Sequence, residues 1–148
     1  MQVPFFPYSD LFMEDEKAYT EIFRSVSSRG AFILQKELEE FEDLVCQHTK
    51  SKFAIGMGNA TDALEIGLMA GGLEQGNEVI ISSHTMIATA SAIKVAGGNP
   101  VPIECGNDHM MDVSKIESAI TEKTQAIMPT QLNGRVCDMD PIMQIAEK

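Results

Sequence analysis

GMGNATDAL, residues 56–64, follows the apolar run KFAI (52–55) and leads into ALEIGLMA (63–70). The stretch is a turn between an apparent strand and an apparent helix. A helix start exposes up to four unpaired N–H groups and about half a positive charge. Asn59 and Thr61 are good side-chain caps. Gly56 and Gly58 let the backbone turn sharply or approach a ligand. Gly58 and Ala60 leave room over the amides for a phosphate. Asp62 suits the helix dipole but opposes an anion unless its carboxylate is turned aside. The residues alone leave two readings open, an ordinary capped turn and a phosphate site. A Walker A loop is excluded because no GK[ST] follows, and GxGxxG is out of register because Thr61 stands where the third glycine belongs.

The pattern of this stretch recurs along the chain. KFAIGM (52–57), EVIISS (78–83), PVPIEC (100–105) and TQAIMPT (124–130) read as strands. Each precedes a helical segment: TDALEIGLMAGG (61–72), TMIATASAIKVAGG (85–98), DVSKIESAI (112–120) and MDPIMQIAEK (139–148). Alternation with short turns signals βαβ units and a parallel sheet. Strands buried on both faces read as continuous apolar runs, as Val79–Ile81 and Ala126–Met128 do. The expected fold is α/β, a three-layer αβα arrangement with a mainly parallel sheet. Ligands of such sheets bind beyond the carboxyl ends of the strands. Before residue 52, MEDEKAYTEIFRSVSS (13–28) reads as an amphipathic helix with Ala18, Ile22, Phe23 and Val26 on one stripe. ILQKELEEFEDLVCQHTK (33–50) reads as a second, with Leu34, Leu38, Phe41, Leu44 and Val45.

Composition narrows the function classes. The 148 residues are 44% hydrophobic, enough for one domain with a core. Twenty-two acidic against 11 basic residues give a net charge of −11, which disfavours nucleic acid as a partner. The odd, scattered cysteines Cys46, Cys105 and Cys137, with no CxxC, fit a reduced cytoplasmic protein without structural metal. His48, His84 and His109 have no metal-ligand spacing. The start, MQVPFFPYSDLF, lacks the features of a signal peptide. No run of about 18 apolar residues suggests a membrane span.

Taken in order, FILQKELEEFE (32–42), GNATDALEIGLMAGGLEQGNEVIISSHTMIATASAIKVAGGNPVPIE (58–104), DVSKIESAITEKTQAIMPTQLNG (112–134) and DMDPIMQIAEK (138–148) resemble the DegT/DnrJ/EryC1/StrS family. These are sugar aminotransferases that use pyridoxal 5′-phosphate (PLP). The resemblance runs nearly without gaps from about residue 30 to Lys148. It implies the amino-terminal part of the large domain of a type I PLP aminotransferase fold. Residues 1–30 would form an arm and helix, and residues 31–148 part of the cofactor domain. It places the cofactor phosphate at the turn carrying Asn59, Ala60, Thr61 and Asp62, held by backbone amides and the Thr61 hydroxyl. Met86 stands where the family usually has an aromatic residue stacking on the pyridine ring. A thioether packs on a ring with less area and less orientation. Gln131 and Asn133 replace a histidine and an aromatic of the segment PxHLYG. They read either as substrate-binding groups or as a polar turn before Gly134. His84 reads more readily as a loop residue than as a catalytic acid.

The resemblance further implies a homodimer, a nucleotide-linked keto sugar as acceptor and an amino acid, glutamate above all, as donor. Neither nucleic acid nor membrane is implied, and cell-surface polysaccharide assembly is among the pathways such enzymes serve. The family's cofactor lysine and its ring-nitrogen carboxylate fall beyond Lys148, and none of the eight lysines aligns with that lysine. No catalytic residue is therefore expected within the chain. Taken alone it would be inactive, with an exposed apolar sheet edge prone to association. The alternative is a non-catalytic module that binds a phosphorylated ligand or assembles with another subunit.

Overall fold

A computed structural model describes residues 4–148; the first three residues of the amino-terminal arm lie outside the described residues. Residues 1–56 and 57–148 form two compact units. The first holds α1 (Tyr8–Glu14), α2 (Glu16–Ser28) and α3 (Lys36–Thr49). The stretch read as one helix from residue 13 is therefore two, broken at Asp15, whose backbone leaves the helical region at φ −123°. Asp15 is the N-cap residue of α2, makes no side-chain cap bond, and donates its backbone N–H to the Phe12 carbonyl at 3.2 Å. Within this unit an Arg29–Glu37 ion pair ties the end of α2 to the start of α3. Gly56 N–H donates to Glu42 Oε1 at 2.6 Å. That bond accompanies a correction: residues 52–57, read as a strand, form none. A strand is defined by a neighbour's ladder, and among the described residues this segment has no such neighbour.

The second unit carries α4 (Ala60–Ala70), β1 (Glu78–Ser82), α5 (Ile87–Val95), β2 (Asn99–Ile103), a 3₁₀ turn (Val113–Lys115), α6 (Ile116–Ala119), β3 (Thr124–Met128) and α7 (Met139–Ala146). The strands pair in the order β2-β1-β3, all parallel. β1 is central, and Val79, Ile80, Ile81 and Ser82 are all buried. Side chains alternate across a strand. Val79 and Ile81 accordingly meet Ile93 of α5 and Leu68 of α4, while Ile80 meets Ile116 of α6 and Ile142 of α7. These two clusters make the three-layer αβα arrangement, with α4 and α5 on one face and α6 and α7 on the other. The crossover from β1 to β2 turns at Gly97, with φ +96°, and enters the sheet through the close quarters of Gly98. A Cβ there would sit 2.9 Å from Leu73 Cδ2 and 3.1 Å from Ile93 Cγ2, so only glycine fits without displacing the core.

The 3₁₀ turn is capped by Asp112, which accepts from the Ser114 hydroxyl at 2.7 Å and its amide at 3.0 Å. The Ser114 hydroxyl, before all else, holds the Asp112 carboxyl below its ordinary range. A depressed folded-state pKa contributes stability above the unfolded value and loses it as pH falls through the folded one. Ser114→Ala should therefore raise the acid midpoint of Asp112, read from its carboxyl carbon by NMR titration. An unchanged midpoint would refute this account of the cap.

The outer edge of β3 has no strand beside it among the described residues. An open groove of about 320 Å³ runs along it, lined by Ala63, Gly67 and Leu68 of α4 and Ala126, Ile127 and Met128 of β3. Unpaired edges flanked by apolar surface recruit other chains. The 148-residue chain should self-associate or unfold at low denaturant in sedimentation and urea experiments. A monomer with cooperative unfolding of several kcal/mol would contradict this.

Candidate cofactor site

α4 starts where the sequence places its cap. Asn59 is extended at φ −162°, and its Oδ1 accepts from Asp62 N–H at 2.9 Å. Asn59 Nδ2 donates to Asp62 Oδ2 at 2.8 Å. The Asp62 carboxylate is thereby held by a neighbouring amide. The Asp62 N–H is already satisfied, whereas the amides of Ala60 and Thr61 have no acceptor among the described residues. The Thr61 hydroxyl likewise has none. Around Gly58, the nearest atom to an added Cβ is Asp62 Oδ2 at 3.7 Å. The turn is thus open, lined by small residues, and carries two free amides and a hydroxyl at a helix N-terminus of 11 residues. These groups fit a phosphate. The four residues named from sequence are brought together here, with Asn59 organising the turn rather than leaving its own side chain free.

Met86 lies elsewhere, at the start of α5 beyond the carboxyl end of β1. It is the N-cap residue, with an extended backbone, and is 71% exposed. α4 and α5 pack against each other. Gln131 is engaged: its Oε1 accepts from Cys137 N–H at 2.6 Å and its Nε2 donates to Met139 Sδ at 3.5 Å. It closes the loop after β3. Asn133 has a left-handed backbone at φ +52° and lines a polar pocket of about 170 Å³ with His84, His109 and Arg135. His84 Nδ1–H donates to the His109 carbonyl at 3.3 Å, and Arg135 Nη1 donates to the Asp108 carbonyl at 2.9 Å. Both bonds tie down the loop that follows β2.

Sequence reasoning missed one set of groups. Thr85 Oγ1 lies 2.8 Å from Thr89 Oγ1 and 2.8 Å from Thr130 Oγ1, so three hydroxyls connect the loops after β1 and β3. The spacing of Thr85 and Thr89, one helical turn apart, was a readable signal. Thr130, 45 positions from Thr85, was not.

The description "DegT/DnrJ/EryC1/StrS aminotransferase family" applies to the family model that matches residues 13–148. The chain belongs to this family. It is 36% identical over 149 residues to the erythromycin biosynthesis sensory transduction protein EryC1 of Saccharopolyspora erythraea, covering 100% of this chain and 41% of that protein. It is 35% identical to the dTDP-3-amino-3,4,6-trideoxy-alpha-D-glucose transaminase of Streptomyces venezuelae, covering 95% and 36%. Among solved structures it is similar to S. venezuelae DesV in complex with a ketimine intermediate, with a TM-score of 0.95, 33% identity, and 99% and 40% coverage. It is also similar to NtdA from Bacillus subtilis with bound cofactor PMP, with a TM-score of 0.94, 34% identity, and 99% and 34% coverage. The chain spans about two fifths of the length of the curated relatives it matches. Within the family fold, the βα units observed here are those of a type I PLP aminotransferase large domain.

Removing the cap tests the turn. Asn59→Ala should lower unfolding stability by about 0.5–2 kcal/mol, read by urea titration. It should also release Asp62 N–H to faster hydrogen exchange. No change in either would mean that Asn59 does not organise the start of α4.

Proposed function

We propose that this chain supplies the phosphate-gripping part of a PLP-dependent aminotransferase. The parent enzyme passes an amino group from an amino acid, glutamate above all, to a keto group on a nucleotide-linked sugar. The observation that carries the reading is the turn at Asn59–Asp62, where free amides, a hydroxyl and small residues converge inside the family match. When bound, PLP supplies an electron sink that lets the amino group leave one substrate and join another. The chain's own residues bind and orient. Ala60 and Thr61 amides and the Thr61 hydroxyl hold the phosphate. Asn59 keeps the turn in shape and occupies the Asp62 carboxylate. Met86 packs on one face of the ring. Asn133 lies toward the substrate side, whereas Gln131 shapes the loop that presents it. In the parent protein we assign residues 1–30 to an arm and helix and residues 31–148 to the cofactor domain. A cytoplasmic homodimer, with the partner completing the site, is the assembly this reading calls for.

The second reading is a non-catalytic binding or assembly module of the same fold. The two readings part at the coding sequence beyond Lys148: a strand ending in aspartate, then a lysine some tens of residues later, belongs to the enzyme alone.

Pyridoxamine 5′-phosphate tests the site without needing a lysine. Its addition should shift the amide signals of Gly58, Ala60 and Thr61 in the NMR spectrum of the chain. Thr61→Val, which removes one donor to a charged group, should weaken binding about tenfold. Shifts confined to other residues, or equal affinity in the variant, would overturn the assignment.

A further inference from the structure

β1 and β3 are parallel neighbours, with Ile81 opposite Met128. Their carboxyl ends therefore release two loops side by side, one carrying Met86 and the other Gln131 and Asn133. Met86 is held by little of its own. Its side chain is mostly exposed, and as N-cap of α5 it makes no side-chain cap bond. The residue before it is tied at both ends: Thr85 Oγ1 meets Thr89 Oγ1, which is buried within α5, and Thr130 Oγ1 on the other loop. Thr130 is anchored in turn. Its carbonyl accepts from Cys137 Sγ at 3.5 Å, while Gln131 and Cys137 close the loop behind it.

We infer that the Thr130 hydroxyl is a positioning group for Met86, fixing through Thr85 the platform on which the ring of a bound ligand rests. The inference rests on the assignment of Met86 to the cofactor ring. Thr85 can still donate to Thr89 when Thr130 loses its hydroxyl, so Thr130→Val strands no additional donor among these hydroxyls. The change loosens the loop without emptying the core, since valine keeps the volume of threonine.

Two variants and two readouts test it. In Thr130→Val, hydrogen exchange across residues 83–87 should quicken about fivefold, the scale of one neutral hydrogen bond, while the global unfolding midpoint stays put. Thr130→Ser, which restores the hydroxyl, should exchange like the parent chain. Pyridoxamine 5′-phosphate should shift the Met86 ε-methyl NMR signal in the parent and in Thr130→Val's serine counterpart, and shift it by less than half as much in Thr130→Val. Should Thr130→Val not fold, Thr85→Val cuts the same connection from its other end and should quicken the same segment. Unchanged exchange in the valine variant, or equal quickening in serine and valine variants, overturns the positioning role. A Met86 methyl indifferent to the ligand in the parent chain, with exchange behaving as stated, overturns instead the cofactor assignment on which the role depends.

Discussion

The burial of β1 on both faces, between two parallel neighbours, is the constraint on which the second unit depends. Four consecutive residues of that strand are out of water, and each faces a different layer from the next. A slip of one residue would exchange the two faces and set the polar Ser82 against a different layer. The register to β2 and β3 is therefore determined by packing. Once it is, the carboxyl ends of β1 and β3 fall together, and so do the loops they release. The site follows from this alignment: Thr85 reaches Thr130 because Ile81 lies opposite Met128.

What the sequence made legible follows the same physics. Runs such as Val79–Ile81 are readable because a doubly buried strand must be continuously apolar. The cap at Asn59 is readable because its bond to Asp62 spans three residues. KFAIGM looked like a strand for the same reason as the others, yet forms none. Its composition meets the requirement for burial, but strand formation also needs an edge to pair with, which composition does not encode. Asp15 shows the converse, a backbone break at one residue inside what periodicity read as one helix. At the site, Gln131 was the ambiguous residue. Its partners, the Cys137 amide and Met139 sulfur, lie six and eight positions on, across a turn whose path no periodicity specifies.

In the proposed cofactor site, methionine at position 86 would hold a ring differently from an aromatic residue. An aromatic platform orients a ring through area and quadrupole. A thioether offers polarizable contact but three rotatable bonds, so it orients little by itself. The rigidity has to come from the backbone beneath. Thr85 sits between a buried hydroxyl in α5 and a hydroxyl on the neighbouring loop, which supplies backbone stiffness where the side chain supplies none.

An acidic protein proposed to grip a phosphate raises an apparent conflict. With a net charge of −11, the long-range field disfavours an anion. That field is screened over about 8 Å at physiological ionic strength, whereas hydrogen bonds from amides act at contact. The decisive charge is the near one, Asp62, two residues from the first free amide. Its Oδ2 accepts from Asn59 Nδ2, and the same Asn59 side chain takes the Asp62 N–H. One residue thus shapes the turn and draws the carboxylate into a local bond, while the amides of Ala60 and Thr61 keep no acceptor among the described residues. Serine or threonine at position 59 could cap the helix equally well. Asparagine does both with separate atoms, Oδ1 taking the Asp62 N–H and Nδ2 reaching the carboxylate.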